Sequence, residues 1–368
     1  MKRLLLLGLL LSACKINDAT FTPLGGGGDD AGPGDGRRDD TGPPLDGPST
    51  QSLRRGYYLD AQVGFYILDK AADGSLSMTA GFSGGGGSVL VANGNHVYVG
   101  GIVSGSGGVR DATIQGSTVT MSNERPLTGC QEVRHMVLHP SGSPLLVTCA
   151  NASAFLISIG TNGGLGNATP VFPNAINELT PAWSKDGQCL FLTDNGAPAA
   201  QSVQAYRFDG AGLSFTLTNR ISGPHAKDIE VHPTDNYVYM TSLLDLQAYS
   251  FNATCALAPV GGVQTSGLQN ANGLAINPAG TRLFQLGERI VPYSIEADGR
   301  AFQIPGVTGP QATHLDGVFD PTMPNVMYTL AALPPRIYQA RIDAAGNVTV
   351  GPSFSAGGQS PTDFVLVP

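Results

Sequence analysis

Residues 228–242 read DIEVHPTDNYVYMTS: a short strand-forming run, a turn opened by His232 and Pro233, and a second strand rich in Tyr, Val and Met. Apolar runs this short, bounded by Pro, Asp and Asn, mark paired β-strands rather than helix. The same grammar returns in HMVLHPSGSPLLVTC (135–149), GLAINPAGTRLFQLG (273–287) and GVFDPTMPNVMYTL (317–330). PAWSKDGQCLFLTD (181–194) keeps it with Lys185 in the place of the proline. Pro140, Lys185, Pro233, Pro278 and Pro321 stand 45, 48, 45 and 43 residues apart. A fixed period of that size marks an architecture built from repeated supersecondary units.

Each pair is followed by a third, alternating strand, as in SVQAYRFDGAG, DLQAYSFNATC, IVPYSIEADGR and RIYQARIDAAG, which closes on Asp or Asn with Gly nearby. That is tight-turn chemistry, and a fourth short strand follows it. Four strands per period with no helical periodicity between them predict an all-β chain, a β-propeller of four-stranded antiparallel blades. First strands fall at 88–92, 135–139, 181–184, 228–232, 273–277, 317–320 and 363–367, so seven blades are expected. They are apolar on both faces because blades pack face to face.

The run FVLVP at 364–368 has no second strand after it, while the folded region opens with RRGYYLDAQVGFYILDKAADGSLSMT, which has no first strand before it. The two fragments are expected to complete one blade, removing two exposed sheet edges and closing the ring. The propeller is therefore assigned to residues 56–368.

Upstream the composition is different. MKRLLLLGLLLSAC has a basic start, an apolar run and small residues before Cys14, the pattern of an export signal over residues 1–13. Leu11-Ser12-Ala13-Cys14 resembles the bacterial lipobox, which implies acylation of Cys14 and a membrane anchored through lipid. Lys15 follows where Asp would resemble an inner-membrane retention signal, so an outer-membrane address is expected. Residues 14–55, with GGGGDDAGPGDGRRDDTGPPLDGPST, hold almost nothing that could enter a core and read as a flexible tether with a mean reach of roughly 35 Å.

Net charge is −8, and no long Lys/Arg cluster is present, which excludes the electrostatic footprint of a nucleic-acid binder. A monomer is expected. Export places Cys130, Cys149, Cys189 and Cys255 in an oxidising compartment. On the blade scheme Cys130 and Cys149 lie at one rim and Cys189 and Cys255 at the other, which predicts those two pairings. No CxxC pair and no His at zinc-finger spacing occur, so neither a structural metal nor a cofactor is expected. Gly84 to Gly87 lack the Lys-Ser/Thr of a phosphate loop, and no Ser sits in a nucleophile elbow.

The segments VRHMVLHPSGSPLLVTC and GPHAKDIEVHPTDNYVYMTS resemble the blade pattern of the lactonase-type seven-bladed propellers, the 6-phosphogluconolactonase group and the related YVTN-repeat surface proteins. The resemblance covers the repeat region and implies ester chemistry by an Arg five residues before the His of His-Pro and a Glu sixteen beyond that Arg. An Arg stabilises a developing oxyanion and a carboxylate handles the proton. Arg134 and Lys227 keep the cation, but Ala150 and Leu243 stand where the carboxylate belongs. A substitute acid would come from Glu178 or Asp228. The loops entering the first strands should also bring His135, His225, Asn272, His314, Asp316 and Asp363 to one channel mouth. Two functions follow: an envelope module that presents the propeller to a protein, glycan or small ligand without catalysis, and a divergent lactonase acting on a sugar or organic-acid lactone. For the channel-mouth Asp and His residues the plainer role is to satisfy loop amides. His139 and His232 are expected to cap turns, and Trp183, the single Trp, to pack in the core.

Overall fold

The computed structural model describes residues 55–367 apart from 62–63, 84–86, 174, 176, 195, 199–200, 243, 269, 306–310 and 356–359. The expected export signal, Cys14 and the expected tether up to residue 54 lie outside the described residues, and Arg55 opens β1. Twenty-eight strands form seven antiparallel four-stranded sheets. Numbered by inner strand, blade 1 runs from β4 (Gly87–Asn93) to β7 (Thr118–Pro126), blade 2 from β8 (Val133–Leu138) to β11 (Leu165–Val171), and blade 3 from β12 (Leu179–Trp183) to β15 (Ser214–Ile221). Blade 4 runs from β16 (Asp228–Val231) to β19 (Leu257–Thr265), blade 5 from β20 (Gly273–Ile276) to β23 (Ala301–Gln303), and blade 6 from β24 (His314–Asp320) to β27 (Val348–Phe354).

Blade 7 is shared. Its order is β28 (Pro361–Val367), β1 (Arg55–Asp60), β2 (Gly64–Lys70), β3 (Leu76–Ser83), with Tyr57 opposite Val365 and Tyr58 opposite Phe364. The expected completion of one blade by the two distant segments is what the register shows. Its apolar side chains then divide between two neighbours. Tyr57, Leu59 and Ile67 pack with Leu90, Val97 and Val99 of blade 1, and Tyr58, Leu68 and Phe364 pack with Tyr328 and Leu330 of blade 6.

Blades also lock to one another at the turns between first and second strands. His139 donates through Nε2 to the Gly187 carbonyl of the next blade at 3.1 Å, and His232 does the same to Gly280 at 2.8 Å. Both glycines have left-handed φ, +71° and +68°, and a Cβ on either would clash with the imidazole that covers it, 2.1 and 2.2 Å from the nearest ring atom. The two histidines cap their own turns as well: His139 Nδ1 meets Ser141 Oγ at 2.7 Å, and His232 Nδ1 accepts from the Asp235 amide at 2.9 Å. Trp183 is buried at 8% exposure between blades 2 and 3. Both expected disulfides are present, Cys130–Cys149 and Cys189–Cys255, and the second joins blade 3 to blade 4.

The seam between blades 6 and 7 carries an ion pair. Lys70 Nζ reaches Asp320 Oδ1 at 2.6 Å, with the two side chains 2% and 0% exposed. Burial alone would raise the Asp320 carboxyl, but the hydrogen bonds from Lys70 and Thr322 outweigh it and hold it below the usual range. Removing one member strands the other charge, so Lys70→Met should cost about 3 kcal/mol or more in denaturant unfolding. Lys70→Met combined with Asp320→Leu should recover most of that loss. A Lys70→Met protein as stable as the parent would contradict a structural role for the pair.

Candidate functional site: the channel and its mouth

Seven inner strands converge on the ring axis, and each turns one edge to the lumen with no strand beside it. The N–H and C=O groups of those edges need partners, since buried backbone polar groups are almost always paired. Side chains of adjacent blades supply them. Asp363 accepts from Leu90 N at 2.7 Å, Thr148 Oγ1 donates to Leu179 O at 2.8 Å, and Thr180 Oγ1 donates to Ala226 O, in the loop entering β16, at 3.0 Å. Asp228 accepts from Leu274 N at 2.7 Å, Asn272 Nδ2 donates to His314 O at 3.1 Å, and Ser88 Oγ donates to Val133 O. The second oxygens of Asp228 and Asp363 accept the amides of Ile229 and Phe364 at 2.8 and 2.7 Å. Both carboxylates thus work as staples between inner strands.

The lumen they enclose is a cavity of about 690 Å³, lined by Arg134, His135, Lys227, Asp228, Asn272, Asp316 and Asp363 among others. Glu178 joins this set through His135, whose Nε2 meets Glu178 Oε1 at 3.1 Å. Two of the expected mouth residues do not line the lumen. His225 is exposed and does not line the cavity. His314 is fully buried with its ring edge-on to Tyr338 at 5.9 Å, because a register shift between His314 and Asp316 breaks the alternation that would otherwise put both on the lumen face. Only its carbonyl serves the inner edge.

Cations and carboxylates are segregated around the lumen. Arg134 and Lys227 are exposed at the rim of blades 2 and 4, and Arg134 Nη2 holds Glu132 at 3.2 Å. The His135 hydrogen bond, helped by the charges of Arg134 and Lys227, keeps the Glu178 carboxyl below its usual range against the effect of burial. A carboxylate therefore meets the cations by a route that the sixteen-residue spacing does not describe: from the loop entering the next blade. Ala150, at the family's carboxylate position, is a turn residue whose amide donates to Glu132 O at 2.9 Å.

Deeper in the lumen the sign reverses. Asp228, Glu230, Asp316 and Asp363 face one another across the channel, and none is paired with a Lys or Arg among the described residues. Burial, and then the charge of Asp228 and of the neighbouring carboxylates, raises Glu230 and Asp316 well above the usual range. Burial raises Asp363 to about 7 even though two amides favour its ionised form. Glu230 was not among the expected site residues. It stands two residues after Asp228, and in a strand that spacing puts it on the same face, so the alternation rule would have found it. No three His, Cys, Asp or Glu side chains among the described residues are close enough together to hold a metal ion.

No protein-family model matches the chain, and no curated relative does either. Among solved structures, a protein of Bacteroides uniformis provisionally assigned as a 6-phosphogluconolactonase superposes with TM-score 0.74 at 15% identity, covering 86% of this chain and 100% of that one. A protein of Bacteroides fragilis with the same provisional assignment gives 0.73 at 14% identity, over 88% and 100% of the two chains. The periplasmic gluconolactonase of Pseudomonas aeruginosa gives 0.70 at 17% identity, over 86% and 99%.

Carboxyls raised in the folded state stabilise it below their unfolded value of about 4 and lose that contribution as pH rises through their folded values. For Asp363 the window is about pH 4 to 7. The melting temperature should therefore fall as pH rises across that range, and Asp316→Asn should flatten the slope and raise the melting temperature at pH 8. A melting temperature that climbs steadily from pH 5 to 8, or an unchanged slope in Asp316→Asn, would contradict this electrostatic picture. The chain is a seven-bladed β-propeller with the fold of the 6-phosphogluconolactonase-like proteins.

Proposed function

We propose that the protein is a cell-envelope lipoprotein, held in the outer membrane through Cys14 and carrying its propeller on the 14–55 tether, that binds a small anionic ligand at the channel mouth without transforming it. Two disulfides fit the oxidising compartment that this location requires. The observation that carries the binding is the meeting of Arg134, His135 and Lys227, from two different blades, over a cavity of about 690 Å³. That volume suits a sugar acid or a phosphorylated sugar, and Arg and Lys at a concave rim are the groups that hold carboxylate or phosphate oxygens. Lack of turnover is supported by how the carboxylates are engaged. Glu178 is ionised and bonded to His135, and Asp228 and Asp363 spend their oxygens on backbone amides. A general base must be free to take a proton from the attacking water.

The second reading, a divergent lactonase, is favoured by one feature: the Glu178–His135 bond could orient the imidazole as base, with Arg134 or Lys227 facing the developing oxyanion. The gluconolactonase of Pseudomonas aeruginosa, named for that activity, shares this fold.

Calorimetry and a hydrolysis assay on residues 53–368 separate the two. Gluconate should bind, and Arg134→Ala or Lys227→Ala should weaken it by about tenfold, as expected for loss of one charge-assisted hydrogen bond. Gluconolactone should hydrolyse no faster than in buffer. Turnover that disappears in Arg134→Ala, Lys227→Ala or His135→Ala would replace the binding reading with the lactonase. Neither binding nor turnover would remove the channel mouth as a site for such ligands.

A further inference from the structure

A second cavity, of about 510 Å³, opens on the outer side of the ring between blades 2 and 3, away from the channel. Its walls come from the end of β11 with the residues just after it, and from β14 (Val203–Asp209) and β15 of blade 3. A second outer groove, between blades 4 and 5, encloses only about 120 Å³. The larger one lies within the size range of small-molecule sites.

Its lining is rich in aromatic side chains. Phe172, Tyr206 and Phe215 face it, with Phe172 centred 4.9 Å from Tyr206 and 4.8 Å from Phe215. Behind them Trp183 stacks on Phe215 at 5.7 Å, and Phe208 lies 5.2 Å from the same ring. Two of the lining residues, Phe172 and Leu213, are held at positive φ, +54° and +47°. They are the bulkiest of the non-glycine residues found in that region among those described, and large side chains adopt it only when the surroundings impose it. Strain of this kind gathers at ligand clamps more than in ordinary packing.

Polar groups converge at one end. Gln204 and Arg220 are cross-strand partners on β14 and β15, and the buried Tyr206 hydroxyl donates to Gln204 Oε1 at 2.6 Å, leaving the amide NH₂ of Gln204 as a donor. Arg220 also interacts with the Tyr206 phenol. Its exposed guanidinium takes part in none of the ion pairs found among the described residues. An apolar, ring-lined body with a donor pair and an unmatched positive charge at one end is complementary to a flat apolar molecule that ends in an acid group.

We propose that this cavity binds small aromatic carboxylic acids, the ring lying among Phe172, Tyr206 and Phe215 and the carboxylate meeting Arg220 and the Gln204 amide. The site is independent of the channel mouth and of whatever binds there. Trp183, the only Trp, reports on it through its stack with Phe215. The full chain is titrated with 3-phenylpropionate and, in parallel, with 3-phenylpropanol, following Trp183 emission and heat. The acid should give a saturable change in both signals, at least about tenfold tighter than the alcohol. Arg220→Ala, an exposed position whose loss leaves the fold intact, should weaken the acid by about the same factor, whereas Arg134→Ala should leave it unchanged. An acid that fails to saturate either signal, an alcohol that binds equally well, or an Arg220→Ala protein that binds like the parent overturns the proposal. Weakening in Arg134→Ala rather than Arg220→Ala would assign the binding to the channel instead.

Discussion

Every propeller of this kind has to dispose of the lumen-facing edges of its inner strands, and that single requirement shapes the rest of the molecule. An unpaired strand edge is a row of donors and acceptors that must be satisfied by something. Here the partners are short polar side chains reaching from one blade to the next: Asp363 to Leu90, Thr180 to Ala226, Asp228 to Leu274, Asn272 to His314. The ring closes because β28 lies beside β1, which makes the seventh inner strand available to its neighbours on both sides. Asp363 belongs to that strand, so the closure of the ring and the composition of the channel wall are one event.

This requirement also sorts the channel residues by role. A carboxylate that accepts two backbone amides is a structural element whatever its position in the lumen, and Asp228 and Asp363 are of that kind. Chemistry available to a ligand is left to side chains that the inner edges do not consume, and these lie at the rim: Arg134, Lys227, and the His135–Glu178 pair. Four carboxylates below them repel one another across the lumen, and the raised values of Glu230, Asp316 and Asp363 express that repulsion together with burial. Anions would accordingly be held at the mouth and turned away from the depth of the channel.

Much of the architecture was legible because it is periodic. Four Pro turns and Lys185 mark the repeat, and the strand at Tyr57 and Tyr58 has an evident missing neighbour, so blade number, closure and both disulfides follow from spacing and from which rim each Cys occupies. The site was less legible because its contacts cross blades. No spacing rule relates His135 to Glu178, which lie 43 residues apart and meet through different loops. His314 misleads for a local reason: a register shift between His314 and Asp316 breaks the alternation of the strand, so His314 does not share the lumen-facing side of Asp316. The outer cavity between blades 2 and 3 has no sequence signature at all, since Phe172 and Arg220 belong to separate blades and the positive φ of Phe172 is set by tertiary packing.

The closing blade gives the most direct test of the whole account, because the fold, the inner-edge staples and the channel wall all depend on β28. Deleting residues 361–368 removes that strand together with the Asp363 bond to Leu90 and the packing of Phe364 against Tyr328. The melting curve of the truncated protein should lose its cooperative transition or shift far below that of the parent. A curve that superposes on the parent's would show that the ring holds without its shared blade, and would contradict the account at its base.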